Sequence, residues 1–126
     1  MLGKHRLLAF LATRDGERAR AFYEKTLGLA VLSDDDFALA LDAGGIMLRI
    51  QKVGSFAPHP FTALGWEVSD IGATVKKLRA AGVAIERFAG LDQDERGVWH
   101  SPGGAFVAWF KDPDGNVLSV SEHRED

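Results

Sequence analysis

Only His, Asp, Glu and hydroxyl side chains are available in this sequence for acid–base, nucleophilic or metal chemistry. The chain has no cysteine and four histidines, so thiolate nucleophiles, disulfides and thiolate metal sites are excluded. His5, His59 and His123 stand near the start, between two prolines and in the tail, and no pair of histidines has metal-site spacing. His100, directly after Trp99, is the histidine best placed to contact a ligand. A histidine at the rim, in solvent and without a task, is the alternative.

Two charged residues are expected inside the protein. Arg49 lies between two aliphatic residues of one strand-like segment, and Glu67 lies between Trp66 and Val68 in another. Successive side chains of a strand point to opposite faces, so both charges would point away from the helices. They either neutralise each other as a structural pair, since an unpaired buried charge is costly, or contact a ligand directly. Glu67 could also act as a general acid or base.

Large apolar side chains are predicted to share the inferred face of the sheet with these charges. Phe10, Met47 and Trp109 alternate with residues assigned to the helix side. They would give a ligand pocket the apolar walls that such sites usually have. Trp99 could stack on a flat ligand. Core filling is the alternative for Trp109, because tryptophan is usually well buried whatever a site does.

The elements that position these residues form two similar halves. In the first, a strand-like segment at 7–13 precedes an N-cap at Asp15, apolar residues at helical spacing, and a C-terminal Gly28. Three further strands are predicted at 29–32, 37–41 and 46–51.

The same order returns about 55 residues later. A strand at 64–68 leads to a cap at Ser69 or Asp70 and a helix that stops at Gly82. Four extended segments are then expected at 83–88, 98–100, 105–110 and 117–121. The turn at 112–116 should join the last two as a hairpin, because it carries Pro and Gly where a turn needs them. Each half is therefore predicted to be βαβββ, with a proline-containing linker at 54–60.

This tandem βαβββ pattern resembles the vicinal oxygen chelate superfamily. The similarity rests also on Ala-Phe-Tyr-x-x-x-Leu-Gly at 21–28 and Phe-x-Asp-Pro-Asp-Gly-Asn at 110–116, and it covers residues 7–122. The superfamily includes glyoxalase I, extradiol dioxygenases, fosfomycin resistance enzymes and bleomycin resistance proteins. The resemblance implies a single α+β domain over 1–126, with one module at about 5–53 and another at about 61–122. It also implies a cup of curled sheet with helices outside, a small-molecule ligand in the cup, and a homodimer.

Metal-dependent members of the superfamily place His or Glu at four positions of the cup. The resemblance maps these positions onto Leu8, Arg49, Ala63 and Ser119. That set cannot hold a divalent cation. We therefore expect no metal and no cofactor, although the shared chemistry of the superfamily uses a metal to hold an oxygen atom. Arg49 would instead offer a permanent cation to an anionic ligand, and Ser119 stays a candidate ligand contact.

Composition excludes several function classes. Net charge is −3 and the sequence pI is about 5.8, so no basic excess is available to bind nucleic acid. No apolar run reaches the roughly 18 residues that a membrane span needs. The residues at 1–10 lack the apolar stretch of a secretory signal, so we expect a cytoplasmic protein.

These observations favour metal-independent binding of a small organic molecule, as in sequestration or resistance. The competing prediction is an enzyme, either a glyoxalase-like lyase or a dioxygenase-like oxidoreductase. It would use an unusual metal site or acid–base catalysis by Glu67 and His100. A third possibility is a module whose cup is filled by its own side chains and whose task is protein association.

Overall fold

The computed structural model describes residues 1–124, which form two compact units, Met1–Pro58 and a second that begins at His59. Each unit consists of a four-stranded mixed sheet with a helical segment on one face. The predicted α+β class with two βαβββ modules is confirmed. A single domain and a cup formed by both modules stay predictions. Within residues 1–124, no helix has the length and apolar character needed to cross a membrane.

The first unit starts with a strand and a capped helical segment. Its elements are β1 (Leu8–Thr13), α1 (Gly16–Arg20), a π-helical segment (Ala21–Thr26), β2 (Ala30–Asp34), β3 (Ala38–Ala43) and β4 (Ile46–Lys52). The Asp15 carboxylate accepts a hydrogen bond from the Arg18 backbone N–H at 3.2 Å, as the sequence predicted for the cap. Gly28 ends the helical segment with a φ of +80°, a conformation that favours glycine.

The second half of this helical segment differs from the regular helix that the apolar spacing predicts. The Leu27 backbone N–H donates to the Phe22 carbonyl at 2.9 Å, which is the wider turn of a π-helix. Tyr23 in this segment is fully buried. A periodicity near four residues does not separate a π turn from an α turn, so the sequence could not show the difference.

The first sheet has the strand order β1-β4-β3-β2, with β1 parallel to β4 and the other pairs antiparallel. A bulge interrupts β2 between Val31 and Ser33. The core of the unit lies between the sheet and the helical segment, where these side chains are fully buried: Tyr23, Leu39, Leu41, Leu48 and Ile50. The β-strands are therefore held in register by an aliphatic layer.

The second unit repeats the arrangement with a longer helix. Its elements are β5 (Thr62–Glu67), α2 (Ile71–Ala80), β6 (Trp99–His100), β7 (Ala105–Lys111) and β8 (Val117–His123), in the sheet order β5-β8-β7-β6. The cap of α2 is Asp70 and not Ser69, since the Asp70 carboxylate accepts from the Ala73 N–H at 3.0 Å. Gly82 follows the helix with a φ of +86°. Buried residues of α2 pack over the sheet, and the core side chains are Ile71, Val75, Leu78, Ala108, Phe110, Leu118 and Val120.

One predicted strand of the second half is wrong. The segment 83–88 is irregular and joins the sheet by a single bridge, in which the Glu86 N–H donates to the Trp109 carbonyl at 2.8 Å. The Gln93 side chain accepts from the Phe88 N–H and donates to the Glu86 carbonyl. A side chain therefore replaces the strand partner that these backbone groups would otherwise need.

The turn at 112–116 joins β7 and β8 as predicted. Asp112, Asp114 and Asn116 are buried there. The Asp112 carboxylate accepts from the backbone N–H groups of Asp114 and Asn116 at 3.0 and 2.9 Å and from the Asn116 side-chain amide at 2.8 Å. The polar residues of this motif thus stabilise the hairpin, and the contacts they make here are structural.

Candidate functional site

Each sheet has a face covered by its helix and an opposite face, which we call the open face. In β4, Leu48 and Ile50 are fully buried on the helix side, whereas Arg49 between them is only partly buried. In β8, Leu118 and Val120 are buried, and Ser119 between them is partly exposed. The alternation follows from the two-residue period of a strand.

The open face of the first sheet carries three of the predicted site residues. Phe10 pairs with Arg49 across β1 and β4, and Leu8 pairs with Met47 two residues before. Because paired residues share a face, Phe10, Met47 and Arg49 lie together. Phe10 is 53% exposed and Leu8 is 44% exposed, so this face presents apolar surface around a guanidinium.

Arg49 lies near an acidic turn of the same unit. Hydrogen bonds from the backbone N–H groups of Ala38 and Phe37 lower the pKa of Asp35, and the positive charges of Arg49 and Lys52 lower it further. Lys52 also forms a 2.5 Å ion pair with Asp34. Arg49 itself forms no hydrogen bond or ion pair within the first unit, all of whose residues the structure describes. Its charge is therefore available to an anionic group.

The open face of the second sheet carries a cluster of aromatic rings. The ring centroids of Trp99 and Trp109 lie 6.0 Å apart, and Phe88 meets Trp109 edge-on at 5.4 Å. The indole N–H of Trp109 donates to the Thr62 hydroxyl at 2.9 Å. This hydrogen bond and the Phe88 contact fix the orientation of the Trp109 ring before any ligand arrives.

Small residues lie next to this aromatic cluster. Ser119 pairs with Trp109 on one side and with Gly65 on the other. A Cβ atom at Gly65 would collide with the Ser119 hydroxyl, so the glycine makes the position of that side chain possible. Glu67 lies two residues farther along the same face and is exposed. Arg49 and Glu67 belong to different units, and their pairing stays a prediction.

A shallow pocket of about 190 Å³ borders the aromatic cluster and is lined by Pro60, Phe61, Thr62, Phe88, Trp109 and Val117. Sequence reasoning missed Phe61, Thr62 and Phe88. A tryptophan in the pocket wall usually needs a hydrogen-bond acceptor for its indole N–H, so the sequence could predict that Trp109 has such a partner. Which residue supplies it depends on the pairing of strands that are distant in sequence.

The structure does not bring His100 and Trp99 together on one face. His100 stacks on Phe106 with a centroid distance of 4.3 Å, and the Arg124 guanidinium lies 4.2 Å from the centroid of the same ring. Phe106 pairs with Glu122 and belongs to the helix side of the sheet. Neighbouring residues of a strand face opposite ways, so Trp99 shares the open face with Trp109 and His100 does not. Ligand contact by either residue stays a prediction.

The four positions that the resemblance maps to metal ligands lie in both units. Leu8, Arg49 and Ser119 are on open faces, whereas Ala63 falls at a bulge between Thr62 and Leu64. In the part of the chain that the structure describes, no group of three or more His, Asp or Glu residues is arranged to hold a metal ion. Metal independence stays a prediction.

The family assignment rests on a match to most of the chain. The profile of the Glyoxalase/Bleomycin resistance protein/Dioxygenase superfamily matches residues 5–120. The chain belongs to this superfamily. The two βαβββ modules and the polar turn at 112–116 are the elements that carry its resemblance at the level of sequence. No curated protein matches the sequence significantly.

Solved structures of other proteins have the same fold. A lactoylglutathione lyase from Agrobacterium tumefaciens is 18% identical, with 95% of each chain covered and a TM-score of 0.74. A glyoxalase/bleomycin resistance protein/dioxygenase from Alicyclobacillus acidocaldarius is 18% identical, with 98% of this chain and 94% of the other covered and a TM-score of 0.72. TnmS3, an antibiotic binding protein from a Streptomyces species, is 24% identical, with 98% and 99% covered and a TM-score of 0.72. At these identities the likeness concerns the fold alone.

Proposed function

We propose that this superfamily member binds a small, planar organic molecule, without a metal, on the open face of the second sheet. The observation that carries the proposal is the pair of Trp99 and Trp109, whose ring centroids lie 6.0 Å apart on that face. Indole rings bind flat apolar groups by offset or edge-on stacking. If the protein binds the molecule without transforming it, its role is sequestration, in which binding lowers the free concentration of a harmful molecule.

The aromatic cluster is preorganised for such a ligand. Thr62 holds the indole N–H of Trp109, and Phe88 packs against the ring. Immobilising a mobile side chain costs about 0.5–1.5 kcal/mol on binding, and here that cost has already been met by folding. The fold shared with TnmS3, which is an antibiotic binding protein, also supports a binding role.

Arg49 is the second candidate ligand contact that we propose, on the open face of the first sheet. It is a permanent cation beside Phe10 and Met47, without an ion pair in its own unit. A guanidinium in such surroundings attracts carboxylate, phosphate or other oxygen-rich groups. We therefore expect this face of the first unit to bind anionic molecules more tightly than neutral ones.

The three indole N–H signals in an NMR spectrum test the aromatic site directly. With 2-naphthoate as probe, the signals of Trp99 and Trp109 should shift saturably, whereas that of Trp66, which packs on the helix side against Phe110, should not move. The non-aromatic decalin-2-carboxylate is the matched control ligand and should bind more weakly by about tenfold, since it cannot stack. Shifts confined to Trp66, or equal binding of the two ligands, would contradict the proposal.

Substitutions separate the contributions of the two faces. Trp109→Leu keeps an apolar side chain but removes the indole, and it should weaken 2-naphthoate by about tenfold. Trp66→Phe is the control and should leave the affinity unchanged. On the open face of the first sheet, Arg49→Ala should remove the saturable shifts that anionic 2-naphthoate produces in the backbone amide signals of Met47 and Ile50, which neutral 2-naphthol should not produce. Full affinity of Arg49→Ala for the anion would exclude the proposed role of the guanidinium.

Elemental analysis tests the metal-independent part of the proposal. Protein purified without chelators should contain no stoichiometric metal, and 2-naphthoate binding should survive treatment with a chelator. Stoichiometric nickel, zinc, iron or manganese would contradict the proposal and favour a lyase or oxidoreductase, since the chemistry of such enzymes depends on the ion.

We also propose that the protein forms a homodimer. Exposed large apolar side chains in the first unit support this, among them Leu7 at 67%, Leu8 at 44% and Phe10 at 53% exposure. Exposed apolar side chains that lie close together can mark a contact with another chain. Light scattering should give a mass of twice the 13.7 kDa of the chain. A monomeric mass at all accessible concentrations would contradict the dimer.

A further inference from the structure

A groove beside α2 lies on the helix side of the second sheet, away from the two tryptophans of the open face. It has a volume of about 410 Å³, within the range of small-molecule pockets. One face of α2 and the loop before β6 line it, with the residues Gly72, Val75, Lys76, Arg79 and Arg96. Three of these five side chains are cations, in a chain whose formal net charge is −3.

Arg96 is held over the helix by two features of its surroundings. The Asp94 carboxylate accepts hydrogen bonds from Nε and Nη2 of Arg96 at 3.1 and 2.8 Å. A Cβ atom at Gly72 would lie 3.0 Å from Nη1 of Arg96, so the glycine leaves space for the guanidinium. Glycine inside a helix costs about 1 kcal/mol relative to alanine, and here the missing side chain has a packing reason.

Arg79 connects the helix to the same loop through a hydrogen bond to a neutral carbonyl, which does not compensate its positive charge. Its Nη2 donates to the Arg96 backbone carbonyl at 2.8 Å. Lys76 lies three residues earlier and therefore on the same helix face. Among residues 1–124, Lys76 has no hydrogen-bond or ion-pair partner for its ammonium group.

The carboxylates of Asp94, Asp70 and Glu122 lie near the groove, and each is engaged by its own partners; Glu122 accepts from the Ile71 N–H. Burial opposes ionisation of Asp94, but hydrogen bonds from the Arg96 side chain and from the backbone N–H groups of Val98 and Arg96 lower its pKa overall. Asp94 thus neutralises Arg96. The Asp70 carboxylate is engaged with the N–H of Ala73 at the start of α2. Among residues 1–124, neither Lys76 nor Arg79 forms an ion pair, so these two charges are left to a ligand.

We propose that this groove binds a small organic anion, namely a phosphate or carboxylate group attached to a short apolar body. Lys76 and Arg79 bind the anionic group by charge-assisted hydrogen bonds. Val75 and the aliphatic stems of the three cations contact the apolar body. The site is separate from the aromatic cluster and does not depend on the function proposed for that cluster.

Phenyl phosphate is the probe that tests this site by NMR. The backbone amide signals of Gly72, Lys76 and Gly97 should shift saturably, with a Kd on the order of 1 mM. Added salt should weaken the binding, because exposed charges are screened. Inorganic phosphate should bind more weakly and neutral phenol should not produce these shifts. Equal binding of phenol, or of inorganic phosphate and phenyl phosphate, would overturn the proposed class of ligand.

Neighbouring lysines of α2 provide a matched pair of variants. Lys76→Gln should weaken phenyl phosphate by about tenfold, since it removes one charge-assisted contact. Lys77→Gln removes the same charge from a residue that does not line the groove and should change the affinity by less than about twofold. Equal effects of the two substitutions would overturn the proposal. So would shifts confined to the indole signals of Trp99 and Trp109, and this outcome would leave the aromatic site intact.

Discussion

The two units share one topology, yet they place their large side chains at opposite ends of the same row. The row crosses the first, last and third strands of each unit on its open face. In the order of the strands across each sheet, it consists of Phe10, Arg49 and Ala40 in the first unit and of Gly65, Ser119 and Trp109 in the second. The aromatic residue is on the first strand in one case and on the third strand in the other.

This exchange shows which face of a repeated module is free to vary. On the helix side both units use buried aliphatic pairs, Leu48 with Ile50 and Leu118 with Val120. Close packing under a helix restricts size and polarity there. On the open face Phe10, Arg49, Ser119 and Trp109 are all at least partly exposed, so the chemistry can differ between the units. The candidate ligand contacts accordingly come from this face.

A second difference concerns the start of each helix. Lys52 and Glu122 lie at equivalent positions near the ends of β4 and β8. In the first unit the Lys52 side chain passes Gly16, where a Cβ atom would lie 2.8 Å from Cε, and reaches Asp34. In the second unit the Glu122 carboxylate accepts from the Ile71 N–H at 3.0 Å. A carboxylate is favourable at a helix N-terminus and an ammonium is not, so only the second unit uses this position as a cap.

The largest expected change in unfolding free energy comes from substitutions in the turns that precede the last strand of each unit. Asp112→Ala removes three hydrogen bonds from a buried turn and should cost about 3 kcal/mol of unfolding free energy. Asp42→Ala removes one exposed bond to the Gly45 N–H and should cost about 1 kcal/mol or less. Urea unfolding measures both. Equal losses would show that burial does not distinguish the two turns.

The next effect tests the row that contains Trp109. Gly65→Ala introduces a Cβ atom that collides with the Ser119 hydroxyl and should destabilise the protein by about 1 kcal/mol. In a Ser119→Ala background the same substitution should be neutral or stabilising, because alanine restricts the unfolded chain more than glycine does. A double-mutant cycle gives the coupling between the two positions. Additive effects would mean that the close approach of these residues does not constrain the sheet.

The smallest effect is the pH dependence that the second unit gains from its helix cap. Hydrogen bonds from the Ile71 N–H and then from the Arg124 side chain lower the pKa of Glu122. A lowered pKa in the folded state contributes stability above the unfolded value, and this contribution disappears as the pH falls through the folded value. Glu122→Gln should therefore lower the melting temperature at neutral pH, with the difference closing below about pH 4.

Arg124→Gln provides the control for this pH dependence. Arg124→Gln should also lower the melting temperature at neutral pH, but by less than Glu122→Gln does, because the Ile71 N–H still lowers the pKa of Glu122. Thermal unfolding of the wild type and both variants across the acid range makes the measurement. Parallel profiles of Glu122→Gln and the wild type would contradict the cap.

Elements with local signals were predicted well. Asp15 was expected as one cap and Ser69 or Asp70 as the other, with Gly28 and Gly82 as helix ends. Capping and left-handed conformations depend on residues close in sequence. The hairpin around the turn at 112–116 has the same origin. The shared face of Phe10, Met47 and Arg49 followed from strand alternation alone.

Elements that depend on distant partners were not predicted. The segment 83–88 looks like a strand, but Gln93 satisfies its backbone groups in place of a neighbouring strand. The hydrogen bond between Thr62 and Trp109 joins residues 47 positions apart, and no pattern in the sequence near either residue predicts it. Which of Trp99 and His100 lies on the open face depends on how β6 pairs with β7.

Local residue chemistry was therefore enough to establish the repeated module, its caps and turns, and the residues that alternate between its faces. Packing between distant segments settled which aromatic rings meet, how the Trp109 indole is held, and where the cations beside α2 converge. The reason is physical. Caps and turns are satisfied by backbone groups a few residues away, whereas a binding surface is assembled from side chains whose positions follow from strand pairing and helix docking.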